Sequence, residues 1–169
     1  MRRIRQPTPA QVAVAVVFLL MIVRLNLAER PGQASGASRE LVTVATVFDG
    51  DTFLCTDGSR VRLLGVDAPE VSHGNQPGER YGEESADWLR RRIEGRKVQL
   101  KIGPEPFDRY GRRLAWVYDA GGKLINQELL REGFARLLPD FGLPADLEPS
   151  LRAAEATART TRSGIWQKR

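Results

Sequence analysis

Between Asp49 and Glu70 the chain reads D-G-D-T-F-L-C-T-D-G-S-R-V-R-L-L-G-V-D-A-P-E. Four carboxylates (Asp49, Asp51, Asp67 and Glu70) and Arg62 stand in this stretch among apolar residues that can bury it. Two carboxylates held close repel, and each has its pKa raised unless a cation neutralises them. Ligation by oxygen alone, with few protein groups, favours a hard divalent ion, calcium or magnesium, with water completing the shell. Asp51 and Asp67 are the candidate ligands, and the Ala68 carbonyl can add a third oxygen. Asp49 is placed to orient a metal-held water. Glu70 follows Asp67 by three residues and can accept a proton from water poised over a phosphate. Arg62 and the later Arg112 can hold phosphate oxygens in bidentate fashion and stabilise a pentacoordinate transition state. The reaction class that fits is metal-assisted hydrolysis of a phosphodiester. D-G-D-T alone is a weak signal, because Asp-Gly is also an ordinary turn.

The elements that must position these residues can be read in order. Leu41–Phe48 alternates and is β-branched, so it is an expected strand. Thr52–Thr56 and Ser59–Val66 are expected to form a hairpin about Asp57-Gly58, read as a two-residue turn. If that pair is in register, Asp51 and Asp67 come near one another. Arg60 and Arg62 then share one face. Pro69 ends the third strand, because it lacks a donor and holds Ala68 extended. Val71–Arg80 reads as a polar loop and Tyr81–Ile93 as a helix with Glu83 and Glu84 in its first turn. Trp88 reads as packing, and Arg90-Arg91-Arg92 as a solvated helix end. Lys97–Ile102 is an expected strand, Gly103–Gly111 a loop and Arg112–Tyr118 a fifth strand. Leu124–Glu132 and Asp146–Thr161 are expected helices around an apolar connector, Phe134–Leu138. The result is a β-rich α+β domain. Five strands expected in antiparallel order, with three helices, suit either a small Greek-key barrel of the OB type or a generic α+β sheet.

Composition narrows the partners. The chain has 169 residues and a formal charge of +5. Residues 1–30 hold five arginines against one acid, whereas the rest holds 21 basic against 20 acidic residues. An anionic substrate must therefore be held by placed arginines and not by a broad basic field. Cys55 is the single cysteine and His73 the single histidine. A zinc site of the usual nitrogen and sulfur type is excluded. Cys55 reads as a small buried apolar residue and His73 as a loop residue. Met1–Pro9 is basic, and Ala10–Val23 is almost continuously apolar. Residues 1–28 are thus expected to be a signal peptide or an uncleaved signal anchor crossing the membrane. Residues 29–40 read as a flexible linker and 41–167 as the folded domain. The expected location is extracytoplasmic: membrane-anchored, or secreted or periplasmic if the segment is cleaved.

Four blocks carry a resemblance across nearly everything after the linker. They are V-F-D-G-D-T-F at 47–53, V-R-L-L-G-V-D-A-P-E at 61–70, Y-G-E-E-S-A at 81–86 and D-R-Y-G-R-R-L-A-W-V-Y at 108–118, closed by G-I-W at 164–166. In these the chain resembles the staphylococcal-type thermonucleases. The resemblance implies a five-stranded OB-fold Greek-key barrel and a calcium-dependent nuclease acting on DNA or RNA that leaves 3′-phosphate ends. It implies calcium at Asp51, Asp67 and the Ala68 carbonyl, phosphate at Arg62 and Arg112, and Glu70 as general base or water-positioning group. It also implies substrate contacts at Arg109 and Tyr110. The expected protein is a monomer. There are departures. Ala68 stands where the best-known member has threonine. The connector Arg136-Leu137-Leu138-Pro139-Asp140 lacks the tyrosine that would stack on a base. The 71–80 loop differs in length and composition. The competing reading is a non-catalytic OB module that binds nucleic acid or a protein.

Overall fold

A computed structural model describes residues 39–74, 76–139 and 142–168. The expected signal or anchor at 1–28 lies outside the described residues, as does the expected linker up to residue 38. Among the described residues no helix is long and apolar enough to cross a membrane.

Strand β1 (Glu40–Val47) begins where the linker was expected to end. Its first half pairs with β5 (Lys97–Phe107), as in Val42↔Val98, and its second half with β2 (Thr52–Cys55), as in Val47↔Phe53. An extra residue between Val44 and Thr46 bends it between these partners. A bulge of this kind increases local twist and lets a short sheet curl closed. β3 (Arg60–Leu63) pairs with β2, and β6 (Arg113–Tyr118) completes a closed barrel in the order β1-β2-β3-β6-β5. This is the OB-type barrel.

Three details correct the sequence reading. The β2–β3 loop has three residues, Thr56-Asp57-Gly58, because Cys55 N–H bonds Ser59 O at 2.9 Å. The expected antiparallel order fails at β3 and β6, which run parallel with Arg62 opposite Leu114. A closed ring of five strands cannot alternate direction all the way round, so one neighbouring pair must be parallel. Finally, the expected loop at 103–111 is largely strand, since β5 continues to Phe107 and pairs it with Arg113. Pro104 and Pro106 obscured this, but a register irregularity between Ile102 and Phe107 absorbs their missing donors.

Helix α1 (Gly82–Ile93) packs Ala86, Leu89 and Ile93 against the barrel. Trp88 is buried beside Phe134, as a packing residue would be. Helices α2 (Ile125–Arg131) and α3 (Glu148–Thr161) contribute Ile125, Leu129, Leu130, Leu151 and Ala154 to the same core. Fully burying each aliphatic side chain stabilises the fold by about 1.5–3 kcal/mol before entropy is counted. Asn126 is buried in this core with its polar atoms satisfied. Its Oδ1 accepts from Val117 N–H at 2.9 Å, and its Nδ2 donates to Leu64 O at 2.8 Å. It therefore ties β6 to the end of β3.

Candidate active site

The expected strand over 59–66 is two pieces. After β3 the chain turns at Leu64-Gly65 and resumes as β4 (Val66–Asp67), which pairs with β7 (Arg136–Leu137). Gly65 has φ +69°, and a Cβ there would lie 2.5 Å from the Trp116 ring. Only glycine meets both demands. The turn brings Ala68 back to the start of β2, where its N–H donates to Asp51 Oδ2 at 2.8 Å. Asp51 and Asp67 are thus gathered as expected, but by this turn and not by hairpin register.

Arg62 lies between them. Its Nη1 forms an ion pair with Asp51 Oδ2, and its Nη2 donates to Asp67 Oδ1 at 3.3 Å. Nη1 is buried against Asp51. Asp49 holds the preceding turn, its Oδ1 accepting from Asp51 N–H at 2.9 Å. Asp51 is 6% exposed. Burial pushes its carboxyl up to about 7 against the opposing pull of Arg62; the nearby Asp49 charge adds to the rise. A buried acid shifted in this way is short of positive charge. Its donor set of carboxylate and carbonyl oxygens fits a hard divalent ion. Among the described residues no group of three or more His, Cys, Asp or Glu forms a metal cluster. The fit therefore rests on the two aspartates and the backbone at Ala68.

Arg112 comes from the loop before β6, held by a residue that sequence reasoning passed over. Asp108 Oδ2 accepts from Arg112 Nε at 2.7 Å. Asp108 Oδ1 accepts from the N–H groups of Tyr110 and Arg112, both at 2.9 Å. Burial raises the Asp108 pKa, but these hydrogen bonds outweigh it and hold the carboxyl below its usual value. Thr52 is a second omission. Its hydroxyl donates to Asp51 Oδ1 at 3.1 Å and accepts from Arg112 Nη1 at 3.5 Å, linking the acidic end to the second arginine. The spacing D-x-Y-G was the available signal for Asp108, because a short acid before such a turn captures backbone donors. Nothing in the sequence marked Thr52.

Arg62 and Arg112 share a cleft of about 770 Å³ with Glu105, Phe107, Asp108, Arg109, Tyr110 and Leu114. Arg109 and Tyr110 thus line the same cleft as Arg62 and Arg112. Tyr110 is 67% exposed, with the Arg109 and Arg112 guanidinium groups 4.7 and 5.5 Å from its ring centre. Phe107 is 58% exposed on the same wall and was not anticipated. Glu70 is exposed and does not line this cleft. Its carbonyl accepts from Glu79 N–H at 2.8 Å, which fixes its backbone just past Asp67. His73 is an exposed loop residue and Cys55 is buried in β2.

On fold and site, the chain is an OB-barrel domain that presents two arginines, braced by aspartates, in one cleft. The family model for staphylococcal nuclease homologues matches residues 60–168. The chain is 30% identical over 168 residues to the thermonuclease of Staphylococcus hyicus, covering 94% of this chain and 96% of that protein. It is 32% identical over 167 residues to the thermonuclease of Staphylococcus intermedius, with 95% and 98% covered. It is also 33% identical over 155 residues to endonuclease YhcR of Bacillus subtilis, covering 84% of this chain and 13% of that protein. The chain belongs to the staphylococcal nuclease homologue family.

Proposed function

We propose that this protein is a calcium-dependent nuclease that hydrolyses phosphodiester bonds of DNA or RNA and leaves 3′-phosphate ends. The observation that carries the reading is Arg62 and Arg112 in one cleft, each braced by an aspartate, with Asp51 paired to Arg62 and linked to Arg112 through the Thr52 hydroxyl. Asp51, Asp67 and the Ala68 carbonyl would hold calcium, which when bound supplies positive charge for the phosphate and the attacking water. Arg62 and Arg112 bind the non-bridging oxygens and stabilise the charge that builds on them. Glu70 takes the proton of the attacking water as the 5′ oxygen leaves. Phe107 and Tyr110 offer exposed ring faces to bases, a task for which the 136–140 connector has no tyrosine. The protein acts as a monomer. The basic, then apolar, N-terminal segment supports export, with anchoring in the membrane if it is retained.

The test is digestion of labelled nucleic acid in calcium or chelator, with analysis of product ends. Cleavage in calcium to 3′-phosphates supports the reading. Binding without cleavage would favour the non-catalytic module, against which the pairing of Arg62 and Arg112 in one cleft argues.

A further inference from the structure

A second cleft has a volume of about 460 Å³. It is lined by Pro69, Glu79, Arg80, Tyr81, Arg136 and Ile165. The cleft described above does not share any of these residues. Arg136 stands directly across the β4–β7 pair from Asp67, so the new cleft starts beside the acidic cluster. Its other wall is tied to Glu70. Glu79 N–H donates to Glu70 O, and a Cβ at Gly82 would lie 2.1 Å from that same oxygen. Arg80 and Tyr81 are the two residues between these contact points.

Both arginines are held by aromatic rings. The Arg80 guanidinium lies 4.8 Å from the Tyr81 ring centre and donates to Tyr81 Oη at 3.1 Å; that hydroxyl donates to Gln167 Oε1 at 3.0 Å. The Arg136 guanidinium lies 5.7 Å from the Trp166 ring centre. Among the described residues neither arginine has a carboxylate within salt-bridge distance, unlike Arg62 and Arg112. Tyr81, the residue at the head of α1, takes φ +72° without being glycine, a strained conformation. Such strain persists where surrounding structure over-determines it, and it collects at ligand-holding positions. Two stacked guanidinium forks beside a tyrosine hydroxyl suit a phosphate. The Glu79 carboxylate at the rim repels a dianion more than a monoanion. A phosphodiester is therefore favoured over free phosphate.

We propose that Arg80 and Arg136 hold a second phosphodiester of the same nucleic-acid strand, in a cleft separate from the Arg62 and Arg112 clamp. This rests on the nuclease reading, and it makes a polymer that reaches both clefts, not isolated nucleotides, the substrate class.

The test compares the full chain with its Arg80→Gln/Arg136→Gln variant on a dinucleoside monophosphate and on a single strand of about 12 nucleotides, within the usual span of such sites. The variant should lose about 10-fold in kcat/KM on the long strand, the value of one charge-assisted contact, and keep its rate on the short substrate. The slope of log affinity against log salt should fall by about 0.7, one phosphate contact. Arg80→Lys/Arg136→Lys should restore that slope. Equal losses on both substrates, or none on either, overturn the proposal. Inhibition by inorganic phosphate that requires both arginines would make this a free-phosphate site and overturn it as well. If the wild-type chain cleaves neither substrate, anisotropy of the labelled strand in chelator still decides. Binding weakened about 10-fold in the glutamine variant upholds the second subsite, and unchanged binding refutes it.

Discussion

Replacing Asp108 by Asn isolates the brace on Arg112. Asparagine keeps the oxygen that accepts from Tyr110 and Arg112 N–H, so the turn survives. It removes the charge facing Arg112 Nε at 2.7 Å. A charge-assisted hydrogen bond contributes about 1.5–3 kcal/mol. The lower half applies, because the Arg112 side chain is 27% exposed. If that orientation serves the transition state alone, a loss of about 1.5–2 kcal/mol lowers kcat about 10- to 30-fold. KM should stay within about twofold of wild type. The effect must vanish once Arg112 is gone, so adding Asp108→Asn to Arg112→Ala should cost nothing further. Steady-state kinetics on labelled single-stranded DNA reads all three variants. A kcat within twofold of wild type, or additive losses in the double variant, refutes the brace. Stability gives an independent reading. The Asp108 carboxyl is held below its unfolded pKa, so its contribution is present above about pH 4 and is lost as pH falls through the folded value. Urea unfolding at neutral and acid pH should show that acid-side loss diminished in Asp108→Asn.

Other outcomes follow from single contacts. Thr52→Val keeps the buried volume but removes the bridge from Asp51 to Arg112, and should lower kcat severalfold with little change in Tm, read by kinetics and calorimetry. Phe107→Ala should weaken single-strand binding by about 1–3 kcal/mol, the range for loss of a stacking face, while leaving Tm nearly unchanged because the ring is exposed; anisotropy checks it. Gly65→Ala meets both a positive φ and the Trp116 ring, and should destabilise by about 1–3 kcal/mol in denaturant titration, with loss of activity as the Asp51 and Asp67 pair comes apart.

Much of this was legible because local chemistry and global fold agree. The β-branched alternation of 41–48 and the apolar spacing in α1 each pointed to the element that formed. The acids and Arg62 were visible because their types are rare companions in an apolar stretch. What was hidden depends on tertiary closure. Bulges and the odd strand count, not propensity, decide that β3 meets β6 in parallel. The split at Leu64-Gly65 was masked by an unbroken apolar run. Asn126 in the core and Thr52 between two charges look like ordinary polar residues until their partners are known. The Arg80 and Arg136 cleft joins residues more than fifty positions apart, through a strand pair too short to signal itself.

The central claim is that this site cleaves phosphodiesters by the joint action of calcium, Glu70 and the two arginines. Its most direct test is the cleavage rate of end-labelled single-stranded DNA in calcium and in excess chelator, for the wild-type chain and for Arg112→Ala. Cleavage in calcium that is lost in chelator, and that falls by about 10² or more without the Arg112 guanidinium, is the predicted result. Equal wild-type rates with and without chelator, or an Arg112→Ala variant that turns over like wild type, would contradict it.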